Sequence, residues 1–410
     1  MTPADPFDFG AGHVDPNGAV DPGLTYDAGL LDYLVASCGT VTPLLSAEDC
    51  EFVQDVWGLS IEPADLNLPS IGIGALPGSQ TVTRTVTAVR GFKGPHGFYG
   101  SNRPNNYHAV VEAPEGFDVQ VSPSSLYLRP GDSASYELTI TNETSPPGEW
   151  RFGAITWVDS SGHEVRSPIA VNGVAIVAPD EVSGMGADGS TSFDITFGYT
   201  GDYTAGVHGL NGPDYYGVIG LPDDPNDSFV FLGDGVAIAF LEELPEGSAF
   251  ARFSTFDEYT AGNDDIDLYL YYCPNFLCTL VDSSANASSN EEVNVLLPAN
   301  DPAITDPYLV LAHAFETENP TTDIVMFQWE FGLVDDAGNL TLSAPGSATV
   351  GATETITVEW NGLAVGPAER QLGAISHSDA NGIQGLTLIS IDNDIDGSIC
   401  SFGLCAPPPP

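Results

Sequence analysis

Six carboxylates stand at spacings that suit a hard cation. In Asp392-Asn-Asp-Ile-Asp-Gly397, the residues Asp392, Asp394 and Asp396 alternate ahead of a glycine, as in the first half of an EF-hand-type calcium loop. The twelfth position is Gly403 rather than Glu, so the bidentate ligand is missing. An exposed turn in an acidic chain is the competing reading. A second cluster, Asp257, Glu258, Asn263, Asp264 and Asp265, precedes a strand pattern, with Asp257, Asp264 and Asp265 as candidate calcium ligands. Calcium is the one cofactor these residues raise.

The six cysteines fall into three local pairs: Cys38 with Cys50, Cys273 with Cys278, and Cys400 with Cys405. Even numbers in close pairs suggest disulfides and an oxidising compartment. Zinc is the rival, although neither Cys-x4-Cys is followed by a matching His or Cys pair at finger spacing. Tyr215-Tyr216, Tyr269, Tyr271 and Tyr272 could form a platform for a glycan or a protein. Alternation assigns most of them to a core. Tyr215-Tyr216, beside Gly and Pro, reads as a surface loop. His163 and Arg166 lie at a hairpin turn and at a strand start, where each is expected to hold a local hydrogen bond.

Lys and Arg number 9 against 57 Asp and Glu, a net charge of -48. Such a surface repels nucleic acid and anionic membranes. The imbalance is steepest after residue 172, where 36 acids meet 2 bases. Hydrophobic residues still make up 42% of the chain, enough for buried cores rather than a disordered acidic tail. There is no 18-residue apolar run. Met1-Thr-Pro-Ala-Asp has neither the basic end nor the apolar core of a leader. Disulfides without a leader lead to the expectation that the chain is the later part of a secreted protein.

The elements that must position these residues are mostly strands. Pro6 to Asp27 carries four Gly and three Pro and reads as a loop pinned by turns. Leu30, Leu31, Leu34 and Val35 share one helical face, and Ser46 N-caps a second short helix. From Asp65 the period becomes 2, and eight short strands up to Val171 predict a β-sandwich. Ala178 to Gly186 reads as a linker. Strands then resume, including Phe229-Val-Phe-Leu and Asp265-Ile-Asp-Leu-Tyr-Leu-Tyr-Tyr. Four or five more follow between Leu340 and Ile391.

Several of these stretches resemble one family. Phe9-Gly-Ala-Gly-His-Val14 and Asp21-Pro-Gly-Leu-Thr-Tyr-Asp27 are similar to the segment that closes the peptidase domain of subtilisin-like serine proteases, in the cucumisin-like branch. Asp32-Tyr33-Leu34 before Cys38 continues the likeness, with Ala36-Ser37 where that branch has Phe-Leu. Asp65 to Ser70, Thr83-Arg-Thr-Val86 and Trp157 to Ile169 resemble motifs of the fibronectin-III-like domain that follows the peptidase. Asp265 to Tyr271, Ser289 to Val293 and Pro307 to Val310 resemble pre-peptidase C-terminal domains, which are jelly-roll-like.

The expected fold is therefore mainly β. It comprises a peptidase tail (1–62), a fibronectin-III-like domain (63–176), a jelly-roll-like domain (177–336), an immunoglobulin-like sandwich (337–399) and a Cys/Pro-rich tail (400–410). The family's serine motif, Gly-Thr-Ser-Met-Ala-x-Pro, and a Gly-x-Ser-x-Gly elbow are both absent from the sequence. The resemblance places the Asp, His and Ser of the triad ahead of Phe9, and His13 belongs to the closing loop instead. The chain alone is then expected to hydrolyse nothing. Its partners would be the upstream peptidase domain of the same parent chain and protein or matrix substrates. The alternative is a stand-alone extracellular binding or adhesion protein.

Overall fold

The computed structural model describes residues 4–40, 43–89, 104–241, 248–274, 277–296, 308–334, 336–394, 400–401 and 404–405. The chain forms two compact units. One is built on Met1–Val177, and the other on residues 178–410 apart from 196–200 and 348–353, which group with the first.

In the first unit, residues from Ile71 onward, joined by the edge strand Leu24–Thr25, form a two-sheet sandwich. One sheet orders Leu24–Thr25, Ser79–Ala88, Ser133–Asn142 and Phe117–Ser122. The other orders Ile71–Leu76, Glu164–Gly173, Trp150–Asp159, Asn105–Glu112 and Ser125–Leu128. Alternation sends Val82 and Val86 inward from one strand and Tyr136, Leu138 and Ile140 from its neighbour, all essentially without solvent exposure. Trp157 closes the core from the opposite sheet, edge-on to Tyr136 at 5.1 Å between ring centres.

The opening stretch is more ordered than its composition predicts. It contains two helices of a turn or so, Pro6–Phe9 and Pro16–Val20, before Leu24–Thr25 joins the sandwich as an edge strand. Proline at the first helical position and the Asp5/Asp8 capping box start the first helix, and Gly10 in a positive-φ conformation ends it. Beyond it, helices Leu30–Ser37 and Ala47–Asp55 are joined by the Cys38–Cys50 disulfide, and Ser46 caps the second by accepting from the Asp49 amide.

The second unit holds two sandwiches. In 214–332, eight strands form two four-stranded sheets. The first orders Asp214–Pro222, Thr321–Gly332, Ser248–Thr255 and Glu291–Leu296. The second orders Val236–Leu241, Tyr308–Glu316, Asp265–Tyr272 and Thr279–Ser284. First strand beside eighth and second beside seventh is the nesting of a jelly roll. Its core holds Phe253, Ile266, Leu268, Val293, Val310 and Met326. Phe229–Leu232, expected as a strand, is instead a loop lying on this body, with Phe229 stacked 3.7 Å from Tyr269.

The other sandwich is discontinuous. Gly189–Phe197 shares a sheet with Thr353–Trp360 and Leu340–Ser343. Thr204–Asn211 and Glu181–Gly184 lie at the two edges of a sheet whose centre is Arg370–Asp379 and Gly382–Asp392. The jelly roll thus enters the chain between two parts of one sandwich, which differs from the contiguous boundaries at 177–336 and 337–399. The expected linker Ala178 to Gly186 contains the edge strand Glu181–Gly184, parallel to Leu388–Ile391. At the crossing point the Leu210 amide donates to Asn339 Oδ1, and Asn339 Nδ2 donates back to the Leu210 carbonyl. That reciprocal pair holds the insert's two connections together, the condition for inserting one domain into another.

Candidate functional site

The motifs that look separate in sequence converge within the first unit. Asn67 Nδ2 donates to the carbonyls of Asp27 and Thr85, and its Oδ1 accepts from the Thr85 amide. Asp65 accepts from the Thr83 amide. Arg84, only 2% exposed, donates to the carbonyls of Leu68, Thr83 and Ser70. A buried guanidinium is costly unless its donors are used, and three carbonyls use them here. Burial holds the Arg84 pKa below the usual arginine value, partly offset by Tyr136 and Asp65. Asp65 to Ser70 and Thr83 to Val86 are therefore two halves of one clasp.

The opening motif is tied to the same place. Tyr26 Oη lies 3.0 Å from Tyr136 Oη and 2.9 Å from Ser167 Oγ, so it links both sheets of the sandwich. Burial first, then Tyr26, pushes the Tyr136 pKa upward and keeps the phenol neutral. His163 completes the junction. Its Nδ1 lies 2.7 Å from Asp159 Oδ2 and its Nε2 3.0 Å from Asp21 Oδ1. An imidazole that donates from both nitrogens is an imidazolium. Burial works against the charge, but the bonds to Asp159 and Asp21 outweigh it and raise the pKa. Burial opposes ionisation of Asp159 too, and its bonds from His163 and Ser161 win, lowering its pKa. The local bond expected of His163 is present, and the link to Asp21, 142 residues away, is added to it.

Many large apolar side chains of the N-terminal segment are exposed. Val14, Leu30, Leu44 and Val56 are each more than 60% exposed, with Phe7 and Val20 at 61%. Leu30 and Leu31 of the expected helical face point to solvent, while Val35 and Ala36 are buried.

The predicted calcium ligands lie in the second unit. Asp257 accepts from the Ser289 amide and Asn290 Nδ2. Asp264, 6% exposed, accepts from the Glu318 amide and the Thr322 hydroxyl, so both carboxylates pin loops. Asp265 is pushed up in pKa by burial and then by Asp267 and Glu316. Asp392 and Asp394 lie 3.3 and 3.4 Å from the Arg370 guanidinium, and Tyr259 Oη donates to Asp394 at 2.6 Å. Asp396 lies outside the described residues. Among the described residues no three His, Cys, Asp or Glu side chains converge as a metal site.

Cys38–Cys50 and Cys273–Cys278 are disulfides, which removes zinc for those four. Cys400 and Cys405 oppose each other across a two-residue ladder, and their side chains are outside the described set. Tyr215 and Tyr216 belong to the strand Asp214–Pro222 rather than a loop, because the pairing with Thr321–Gly332 runs through them. Both stay partly exposed. A second Asp–His–Asp arrangement had no signal in sequence: His313, wholly buried, reaches Asp224 at 3.0 Å and Asp267 at 3.3 Å.

Residues 65–171 match the model of a fibronectin type-III domain family. The chain is 34% identical over 175 residues to subtilisin-like protease SBT2.5 of Arabidopsis thaliana, covering 42% of this chain and 20% of that protein. The matched stretch is similar to part of a subtilisin-like protease and includes the fibronectin type-III domain. It is also 35% identical over 176 residues to a subtilisin-like serine protease of Lotus japonicus, covering 42% of this chain and 21% of that one. The chain thus spans about a fifth of the length of the curated relatives it matches. Tripeptidyl peptidase 2 covers 86% of this chain at 12% identity with a TM-score of 0.23, a likeness too low to carry an argument. No helix among the described residues is long and apolar enough to cross a membrane.

Proposed function

We infer that the chain is the non-catalytic C-terminal region of a secreted subtilisin-like serine endopeptidase. Its N-terminal segment completes the peptidase domain, and the fibronectin-III-like sandwich holds that segment in place. The two later sandwiches contact protein substrate or matrix. One observation carries the reading: many large hydrophobics between residues 7 and 59 are exposed, on a segment tied to the sandwich through Tyr26, Asn67 and His163. Large exposed apolar patches mark a surface that another body covers. The relatives supply the body by resemblance, since they are proteases about five times as long as the matched stretch.

The test is to isolate the protein from its source and map its peptides by mass spectrometry. Peptides continuous with Met1 that carry a Gly-Thr-Ser motif, together with casein cleavage blocked by a serine-directed inhibitor, are the expected result. A mature chain that starts at Met1 and circulates alone would overturn the reading. Cleavage of casein by the 410-residue chain alone would overturn the claim that it is non-catalytic.

A further inference from the structure

Within the second unit, the jelly roll's first sheet faces the sheet of the discontinuous sandwich. Phe250, Phe327, Trp329 and Phe331 from one side pack on Leu372, Ala374 and Leu388 from the other. Towards one end this contact opens into a cleft of about 400 Å³. That volume is within the roughly 300–1,000 Å³ range of small-ligand sites.

The chemistry of the cleft is unusual for this chain. Arg252 and Arg370 are the only Lys or Arg after residue 172, and both line it. Each crosses the seam between the two bodies, in opposite directions. Arg252 of the jelly roll reaches Glu181 at 2.7 Å and Glu292 at 2.9 Å. Arg370 of the host sandwich pairs with Glu258 and Asp392 and stacks 3.7 Å above the Phe256 ring. Arg370 is 9% exposed, yet its buried Nη1 has no partner. Trp329, Phe256 and Leu372 supply apolar floor, and Ser183, Ser254 and Ser390 supply hydroxyls.

Two guanidiniums face three lining carboxylates, Glu181, Glu292 and Asp392. The cleft carries more carboxylate than guanidinium, and its ion pairs still offer both N–H donors and lone pairs. Its natural complement is a neutral group that donates and accepts at once. Anions are disfavoured by the field of a chain with net charge -48, and cations are drawn to its whole surface rather than to this cleft. Hydroxyls on an apolar ring frame fit both the rims and the floor. We propose that the cleft between the jelly roll and its host sandwich binds a neutral sugar residue, whose hydroxyls bond to the serines, carboxylates and guanidiniums that line it. This would make the C-terminal unit a glycan-contacting module, independently of the junction in the first unit.

The experiment is saturation-transfer NMR and calorimetry on the full chain, with glucose, galactose, mannose, xylose and cellotetraose as probes. Acetate, inorganic phosphate and a short alanine peptide serve as controls. Two variants block the cleft: Ser254→Phe at its floor and Ser183→Trp on the exposed edge strand, where folding tolerates a larger side chain. The expected result is binding of at least one sugar, weakened by about tenfold or more in Ser183→Trp at unchanged Tm, a loss on the scale of one or two hydrogen bonds. No binding by any sugar overturns the proposal, as does sugar binding that neither variant changes. Preferential binding of the peptide, by strand addition at Glu181–Gly184, or of acetate would reassign the cleft and equally overturn it.

Discussion

Asp21 and His163 are 142 residues apart, and their side chains meet at 3.0 Å. The contact attaches the loop that resembles the end of a peptidase domain to the closing hairpin of the fibronectin-III-like sandwich. Asp159 holds the other ring nitrogen at 2.7 Å, so the imidazole is fixed in orientation before Asp21 arrives. Replacing His163 by Ala should destabilise the first unit by about 1–3 kcal/mol, because two largely buried carboxylates lose their donor. Denaturant unfolding measures the loss. Hydrogen exchange should show it concentrated in residues 21–27.

The same pair predicts a pH window. The His163 pKa is raised from 6.5, so its contribution is complete below that value and is lost as pH rises through the raised pKa. The Asp159 pKa is lowered from 3.8, so its contribution is present above that value and is lost as pH falls through the lowered pKa. The first unit should therefore be most stable between these limits. Its melting temperature should fall on the alkaline side, and His163→Gln should abolish that alkaline fall. An identical alkaline fall in the variant would assign the effect elsewhere.

Gly23 is a second point of dependence. Its φ is +79°, and an added Cβ would stand 2.8 Å from the His163 ring. Gly23→Ala thus combines about 1–2 kcal/mol of left-handed strain with a displaced imidazole. The double variant Gly23→Ala/His163→Ala should lose less than the sum of the single losses, since the ring that clashes is gone.

Arg84 should not tolerate lysine. Its fork reaches three carbonyls at 2.9–3.1 Å, and a single ammonium cannot serve that planar spread. Arg84→Lys is expected to cost about 2–4 kcal/mol, the scale of two or three charge-assisted hydrogen bonds. A cost within experimental error would show that the clasp is held by Asn67 and Asp65 alone.

Adding a chelator should leave the melting of the second unit unchanged. Asp257 and Asp264 already accept from Ser289, Asn290, Glu318 and Thr322, and Asp392 and Asp394 already face Arg370. A drop in Tm with EDTA, restored by calcium, would show that an ion competes with Arg370 for those carboxylates.

Strand content, the sandwich class and the family likeness of the first 171 residues are legible in the sequence because they rest on local patterns. Alternation at Thr81 to Val89 and Ser135 to Thr141 follows from the pleat, which any six residues report. The short helix capped by Ser46 is equally local. Pairing partners are not local. Nothing within Gly189–Phe197 says that its neighbour is Thr353–Trp360, so the insertion of the jelly roll emerges only from the tertiary structure. Tyr215 and Tyr216 moved from loop to strand for the same reason, since their partners lie about 110 residues on. His163 looked like a turn residue because Asp159 is near in sequence and Asp21 is not. Arg252 and Arg370 stand 118 residues apart in an acidic field, and nothing local relates them. The fold brings both into one cleft, because ion pairs buried at a seam form only where two separate surfaces meet.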